Sequence, residues 1–234
     1  MPCPYLPGRF ERKLVTELRG PEANGVHDLL SRAGFRRSHS IAYLPACSDC
    51  NACVPVRVSC ADFKPGRSFR RIQAKNDDIV RSIVPPSATQ EQFQLFSTYQ
   101  DARHGNGDMA RMDARDYRAM VEDSTIDTSI FEYRRPDGSL IAVALVDNLS
   151  DGLSAVYSFF DPKEHKRCLG TYIILDLIAE AQTFEFPHIY LGYWISDCRK
   201  MSYKMRFQPL EGFKNGGWEI MSDDATQARP NGSS

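Results

Sequence analysis

The residues best suited to chemistry stand early in the chain, where Cys47-Ser-Asp-Cys50-Asn-Ala-Cys53 sets three thiols at metal-ligand spacing inside the most basic stretch. Structural zinc needs four ligands and a [4Fe–4S] cluster needs four thiolates, so a fourth donor must come from elsewhere. Cys3 and Cys60 are the nearest; Cys168 and Cys198 lie in a different compositional region. The alternative stays open that these are reduced thiols, buried as small apolar groups. A disulfide framework fits poorly. The cysteine count of 7 is odd, 234 residues bury a core without staples, and no secretory signal is evident.

Around the thiols the charge is directional. The whole chain carries a formal net charge of -1, yet residues 1–75 hold 13 Lys and Arg against 6 Asp and Glu. Most of the excess is Arg36, Arg37, Arg57, Lys64, Arg67, Arg70, Arg71 and Lys75, with Phe35, Tyr43, Phe63 and Phe69 between them. Cations interleaved with aromatic rings suit phosphate contacts and stacking on unpaired bases. A single charge run would be read as a solvated face; several runs flanking one thiol-rich segment point to a polyanion.

Two regions must position these groups. Residues 1–70 are loop-rich, with a short helix around Gly25–Ala33 and strands at Ser40–Leu44 and Val54–Ser59; Arg70–Ser82 reads as a helix that breaks at Pro85-Pro86. Residues 71–221 are more regular. Helices are expected at Thr89–Arg103 and Asp113–Asp123, linked by Gly105-Asn-Gly107. Strands follow at Ser129–Tyr133, Leu140–Asp147 and Leu153–Phe160, with Asp137-Gly138 and Asp151-Gly152 as hairpin turns. A helix over Gly170–Phe184 and a strand over Ile189–Ile195 complete the run, and the polar tail, 222–234, is expected to be disordered. The apolar runs are too short to span a bilayer, and nothing in the pattern asks for a second subunit, so a monomer is expected.

Strand, strand, strand, helix, strand is the order of N-acetyltransferase-like folds, so the fold class expected is α/β (α+β), with an antiparallel meander and packed helices behind a small cysteine-containing region. Coenzyme A users of that fold carry a Gln/Arg-x-x-Gly-x-Gly/Ala turn, whose backbone N–H groups and helix N-terminus take the pyrophosphate. Here the run is Arg167-Cys168-Leu169-Gly170-Thr171-Tyr172. Tyr172 stands where a small residue is needed, which argues against coenzyme A and for another activated acyl donor. A base-stacking region joined to such a domain suggests an aminoacyl ester on a transfer RNA.

Longer motifs carry a resemblance. Cys3-Pro-Tyr5-Leu6-Pro7-Gly8-Arg9, Gly34-Phe35-Arg36-Arg37-Ser38, Tyr43-x-Pro45-x-Cys47 through Arg57, and Phe63-x-Pro65-x-Arg67-Ser68-x-Arg70-Arg71 resemble the N-terminal motifs of the aminoacyl-tRNA–protein transferases. Tyr157-Ser-Phe-Phe160-Asp161-Pro162, Leu169-Gly170-x-Tyr172 and Tyr193 through Pro209 resemble the C-terminal ones. Similarity is greatest to the bacterial aspartate/glutamate leucyltransferase branch. It implies a cytoplasmic enzyme moving leucine from leucyl-tRNA to the α-amino group of proteins that begin with Asp or Glu, as an N-end-rule degradation mark. Arginyl-tRNA as donor is the alternative within the family. Eukaryotic relatives bind an iron–sulfur cluster through a Cys-Gly-Tyr-Cys motif and a Cys-Cys pair. Leu6 replaces one of those thiols and the pair is spaced out here, so the metal set expected is Cys3, Cys47, Cys50 and Cys53, for a cluster or for zinc. Many bacterial relatives carry a short leader before the first motif, so a few residues are expected to precede Met1, or the start to differ.

The chemistry implied is aminolysis of an ester. An α-amino group has a pKa of about 7.7–8.0, so a useful fraction is neutral in the cell and positioning with polar donors can suffice, without a required cofactor. Asp161 is expected to hold the amine or relay its proton, although Asp before Pro is also ordinary turn chemistry. Tyr203 and Lys204 would serve the oxyanion or the leaving ribose oxygen, and Lys204 could instead pair a phosphate. Arg36, Arg57 and Arg71 are candidates for the acidic N-terminal side chain. Arg37, Tyr43, Arg67, Arg70 and Lys200 complete the expected substrate-binding set, and His104 is a possible relay on a loop. Two other classes remain: a non-catalytic metal-containing RNA-binding module, and a coenzyme A-dependent N-acyltransferase.

Overall fold

The computed structural model of the chain describes residues 1–104 and 107–222. The side chain of His104, the centre of the glycine link and the tail from 223 onward lie outside the described residues.

Two sheets organise the chain. Strands β1 (Lys13–Glu17), β2 (Arg36–Ser38) and β3 (Ile41–Pro45) form a small antiparallel sheet in the order β1-β3-β2. The large sheet contains β4 (Val54–Ser59), β5 (Val80–Val84), β6 (Thr128–Arg134), β7 (Leu140–Leu149), β8 (Gly152–Phe160), β9 (His188–Trp194), β10 (Leu210–Lys214) and β11 (Gly217–Ile220). Its order is β11-β10-β4-β9-β8-β7-β6-β5, and every neighbouring pair is antiparallel except β8 with β9. Helices α1 (Ala23–Arg32), α2 (Arg67–Ala74), α3 (Gln90–His104), α4 (Ala114–Glu122) and α5 (Leu169–Thr183) complete the mixed α/β fold. None of the described helices is long and apolar enough to cross a membrane.

The near-continuous apolar run of β7 follows from burial on both faces. Ile141, Ala144 and Val146 join a core with α2 and α5, while Leu140, Val143 and Leu145 join another with α3 and α4. The meander β6-β7-β8, the crossover α5 and the parallel strand β9 reproduce the N-acetyltransferase-like order expected. The region of residues 1–70 contributes β4 to the large sheet, between β10 and β9. One expectation is corrected. The helix expected over Arg70–Ser82 is α2 followed by β5, since Val80–Val84 pairs along β6.

One irregularity of the sheet builds the site. β8 and β9 pair only from Gly152–Ser154 to His188–Tyr190, at their shared starting end. Farther along, each strand carries an irregularity against its other neighbour. The β7–β8 register shifts past Val156, and the β4–β9 register shifts past Leu191. Bulges of this kind increase local twist and bend a strand away from its partner, so the two strands diverge into a wedge.

Candidate functional site

Arg36, at the start of β2, enters that wedge. Its guanidinium donates to the carbonyls of Leu191 (3.3 Å) and Ala155 (3.4 Å), and also to that of Val156. It thereby satisfies carbonyls that an unbroken sheet would have paired. Gly192 makes the approach possible: its φ is +73°, and a Cβ there would lie 1.5 Å from Arg36 Nη1. Arg36 is thus a structural wedge as well as a lining residue, not a freely extended cation.

Two chambers meet at this point, of about 620 and 910 Å³. Arg36, Val156, Tyr157, Lys200, Tyr203 and Lys204 line both. The smaller chamber runs to the N-terminus of α5 at Cys168, Leu169 and Gly170. No side chain caps that helix end. Its wall is aromatic and basic: the Tyr99 and Phe160 rings meet at 5.0 Å, with the Arg103 guanidinium 5.6 Å from the centre of Phe160. The larger chamber is rimmed by Tyr5, Tyr43, His39, Arg199 and Lys200 and passes inward to methionines.

Lys204 is the most perturbed group at the junction. It comes from the turn Arg199–Arg206, is 6% exposed and donates to the Tyr193 carbonyl. Burial, and then the neighbouring Arg36 charge, pull its pKa down to about 7. Near neutral pH it can therefore accept or give a proton. Tyr203 stands at the rim, 39% exposed, and desolvation of its ring raises its pKa, so it stays a donor. Tyr157 was not anticipated as a site residue. Its oxygen accepts from Gln100 Nε2 at 2.6 Å, which leaves its own proton for another partner, and burial pushes its pKa up to about 12. Tyr99, Gln100, Arg103 and Tyr157 carry no local motif, and only the fold brings them together.

Several expected residues are committed to other partners. Arg37 is 3% exposed and forms a bidentate pair with buried Asp147 (2.7 and 2.6 Å), which also bonds His27 (3.0 Å) and Thr128 (2.8 Å). Burial works to raise the Asp147 pKa, but His27 and Arg37 hold it below the usual carboxylate range. Arg37 lines the larger chamber, but its guanidinium is committed to Asp147 and braces the core. Asp161 does not line either chamber. Its carboxylate accepts from the Lys163 N–H (2.9 Å) and sits 3.8 Å from Arg135, capping the turn Pro162–Arg167. Arg57 is spent on Glu211 (2.6 Å), Tyr190 (3.1 Å) and the face of Trp218 (4.3 Å). Tyr172 does not plug the helix N-terminus either. It packs against Tyr133 at 5.9 Å, while Phe160 lies over Gly170, 3.1 Å from a Cβ placed there.

Arg67, Arg70 and Arg71 lie on the exposed side of α2, whose Phe69 and Ile72 face the core. The helix ends against the chamber mouth, where Lys75 donates to the Lys166 carbonyl (3.4 Å) and Asn76 to that of Arg167 (2.9 Å). Tyr43 packs on Tyr193 (5.9 Å) under Lys13 (5.3 Å) and lines the larger chamber, as exposed Lys200 does.

Cys3, Cys47, Cys50 and Cys53 share one further pocket of about 40 Å³. The N–H groups of Leu6 and Arg12 point at the sulfurs of Cys3 and Cys47, both at 3.4 Å. Desolvation, then the other three thiols, push Cys53 up to about 11. Four soft donors with N–H support have the chemistry of a zinc or iron–sulfur site. Among the described residues, however, no three His, Cys, Asp or Glu side chains stand in a closed ligand set.

Fold and cleft together define an acyltransferase-type enzyme, with a buried lysine and two phenols at the mouth of splayed strands. The arginine-tRNA-protein transferase models match this chain over residues 1–71 for the N terminus and 91–214 for the C terminus. The chain belongs to that family. An aspartate/glutamate leucyltransferase of Paramagnetospirillum magneticum is 57% identical over 94% of this chain and 90% of that one. Another from Gluconacetobacter diazotrophicus is 55% identical over 96% and 86%. A third, from Rhodospirillum rubrum, is 57% identical over 93% and 89%. Among solved structures, L-PGS from Bacillus licheniformis overlays 77% of this chain and 52% of that chain, with TM-score 0.48 and 11% identity.

Proposed function

We propose that this enzyme transfers leucine from leucyl-tRNA to the α-amino group of proteins beginning with Asp or Glu, creating an N-end-rule degradation signal. What carries the reading is the junction of two chambers at Lys204, Tyr203 and Tyr157, one aromatic and basic, the other apolar at its inner end. The names of the relatives support leucine over arginine as the transferred residue.

In this reading the terminal adenosine stacks in the Tyr99–Phe160 chamber, with a phosphate near the uncapped end of α5. The ester carbonyl lies at the junction. The acidic side chain of the acceptor meets the cationic rim at Arg199 and Lys200. Its neutral amine attacks the carbonyl carbon, and a new C–N bond forms while Tyr157 and Tyr203 donate to the oxyanion. Neutral Lys204 accepts the proton shed by the amine and returns it to the ribose oxygen as the C–O bond breaks. The ester arrives activated, so this step needs no cofactor. Bound metal at Cys3, Cys47, Cys50 and Cys53 would supply structural stability to the N-terminal loops. Leucyl-tRNA places the reaction in the cytoplasm, and a monomer suffices for it.

Coenzyme A fits less well. The carbonyls of Leu191, Ala155 and Val156, where an extended cofactor arm could pair in the wedge, are occupied by Arg36. The test mixes purified enzyme with labelled leucyl-tRNA, arginyl-tRNA or acetyl-coenzyme A against peptides starting with Asp or Ala. Label passing from leucyl-tRNA to the Asp peptide alone is expected; transfer from acetyl-coenzyme A, or none at all, rejects the proposal.

A further inference from the structure

We infer that the inner end of the larger chamber is the side-chain pocket for the transferred amino acid, and that Met109, Met112, Met120, Leu145 and Val156 set its preference for leucine. The inference rests on the proposed transferase reaction and assigns its specificity to particular residues.

The five side chains are contiguous. Met120 and Leu145 belong to one buried cluster, and Met109, Met112 and Val156 pack against it while lining the chamber. They come from the turn Asp108–Arg111 and its following residue, from α4, from β7 and from the bulge of β8. The apolar surface begins where the reacting atoms would be, because Val156 and Tyr157 line both chambers beside Lys204. Thioether side chains make an adaptable wall for an aliphatic group.

Charge distribution accounts for the discrimination. Among the described side chains lining the larger chamber, the one carboxylate is Asp197, which is exposed beside Cys198 and Arg199 at the rim. An arginyl side chain entering the inner end would bury its guanidinium without a carboxylate to pair it, which is costly even with the Gln100 Oε1 as an acceptor. A leucyl side chain would exchange water for hydrocarbon and sulfur. Acyl groups differing by one methylene are separated by roughly 10–200-fold in such a pocket.

The experiment compares kcat/KM for one leucine tRNA carrying leucine, alanine or arginine, so that the RNA is constant, in wild type, Met109→Trp, Met112→Trp and Met109→Glu. Affinity for uncharged tRNA and thermal melting are followed in parallel. Filling the pocket with tryptophan is expected to lower leucine transfer about 30-fold or more while alanine transfer changes less than about threefold. Met109→Glu is expected to narrow the leucine-to-arginine ratio at least tenfold. If a tryptophan variant fails to fold, Met109→Ala is read instead, by its gain on a phenylalanyl ester relative to the leucyl ester. Unchanged ratios in folded variants of an active enzyme overturn the pocket assignment and leave the transferase reading standing. A wild type that transfers nothing from leucyl-tRNA overturns both.

Discussion

Lys204→Met separates stability from activity. Lys204 is buried with a pKa near 7 against an ordinary lysine value of about 10.4, and at about 1.4 kcal/mol per pH unit that span amounts to about 5 kcal/mol. Below pH 7 the lysine is charged in both folded and unfolded states, and the fold carries the whole cost of burying the charge. Between about 7 and 10.4 the folded protein has released the proton and the unfolded chain still holds it, so the cost declines as pH rises. Above that range it is gone. Methionine has a similar length and no charge, but it leaves the Tyr193 carbonyl without its donor, at about 1–3 kcal/mol. The variant should therefore be about 2–4 kcal/mol more stable than wild type at pH 6 and no more stable at pH 10. Urea unfolding of both proteins across that range measures the difference, while transfer activity falls at least 100-fold. A stability difference that does not change with pH would refute the claim that Lys204 is held near neutrality by burial. Unchanged activity would remove it from the reaction.

Other consequences follow from named contacts. Arg37→Leu leaves Asp147 buried without its bidentate guanidinium and should cost about 3–5 kcal/mol in chemical unfolding, while KM for the peptide is unchanged in the folded fraction. Gly192→Ala puts a methyl group where the Arg36 guanidinium lies; transfer should drop about tenfold or more, with a loss of about 1–3 kcal/mol in stability, read by paired activity and melting measurements. Replacing Arg67, Arg70 and Arg71 together by Gln should lower tRNA affinity and reduce the slope of log K against log salt by up to about three, with melting unaffected.

The large elements were legible because their periodicity is strong. The meander, α5 and β9 each carry a clear apolar pattern and turn residues at their ends. Strand β1 was not, since all five of its residues are exposed and no alternation marks it. Strand β5 starts inside a helical pattern in the sequence, because its register comes from β6, about fifty residues away. The site divides in the same manner. Lys204, Tyr203, Lys200, Tyr43 and Arg37 line the larger chamber, but that the Arg37 charge is taken up by Asp147, 110 residues on, is invisible in the local sequence. Arg36 acquires its role from two bulges that no local motif announces. Asp161 obeyed its local chemistry, turn capping before proline, which overrode the role proposed from its place at a strand end.

The most direct measurement is a crystal structure of the enzyme with a hydrolysis-resistant 3′-leucylamido-adenosine. The amide carbonyl is expected within hydrogen-bonding reach of Tyr157, Tyr203 or Lys204, the adenine against Tyr99 and Phe160, and the leucyl side chain against Met109 and Met112. Density for the analogue outside the two chambers, or an adenosine bound with its amide turned away from Lys204, would contradict that placement.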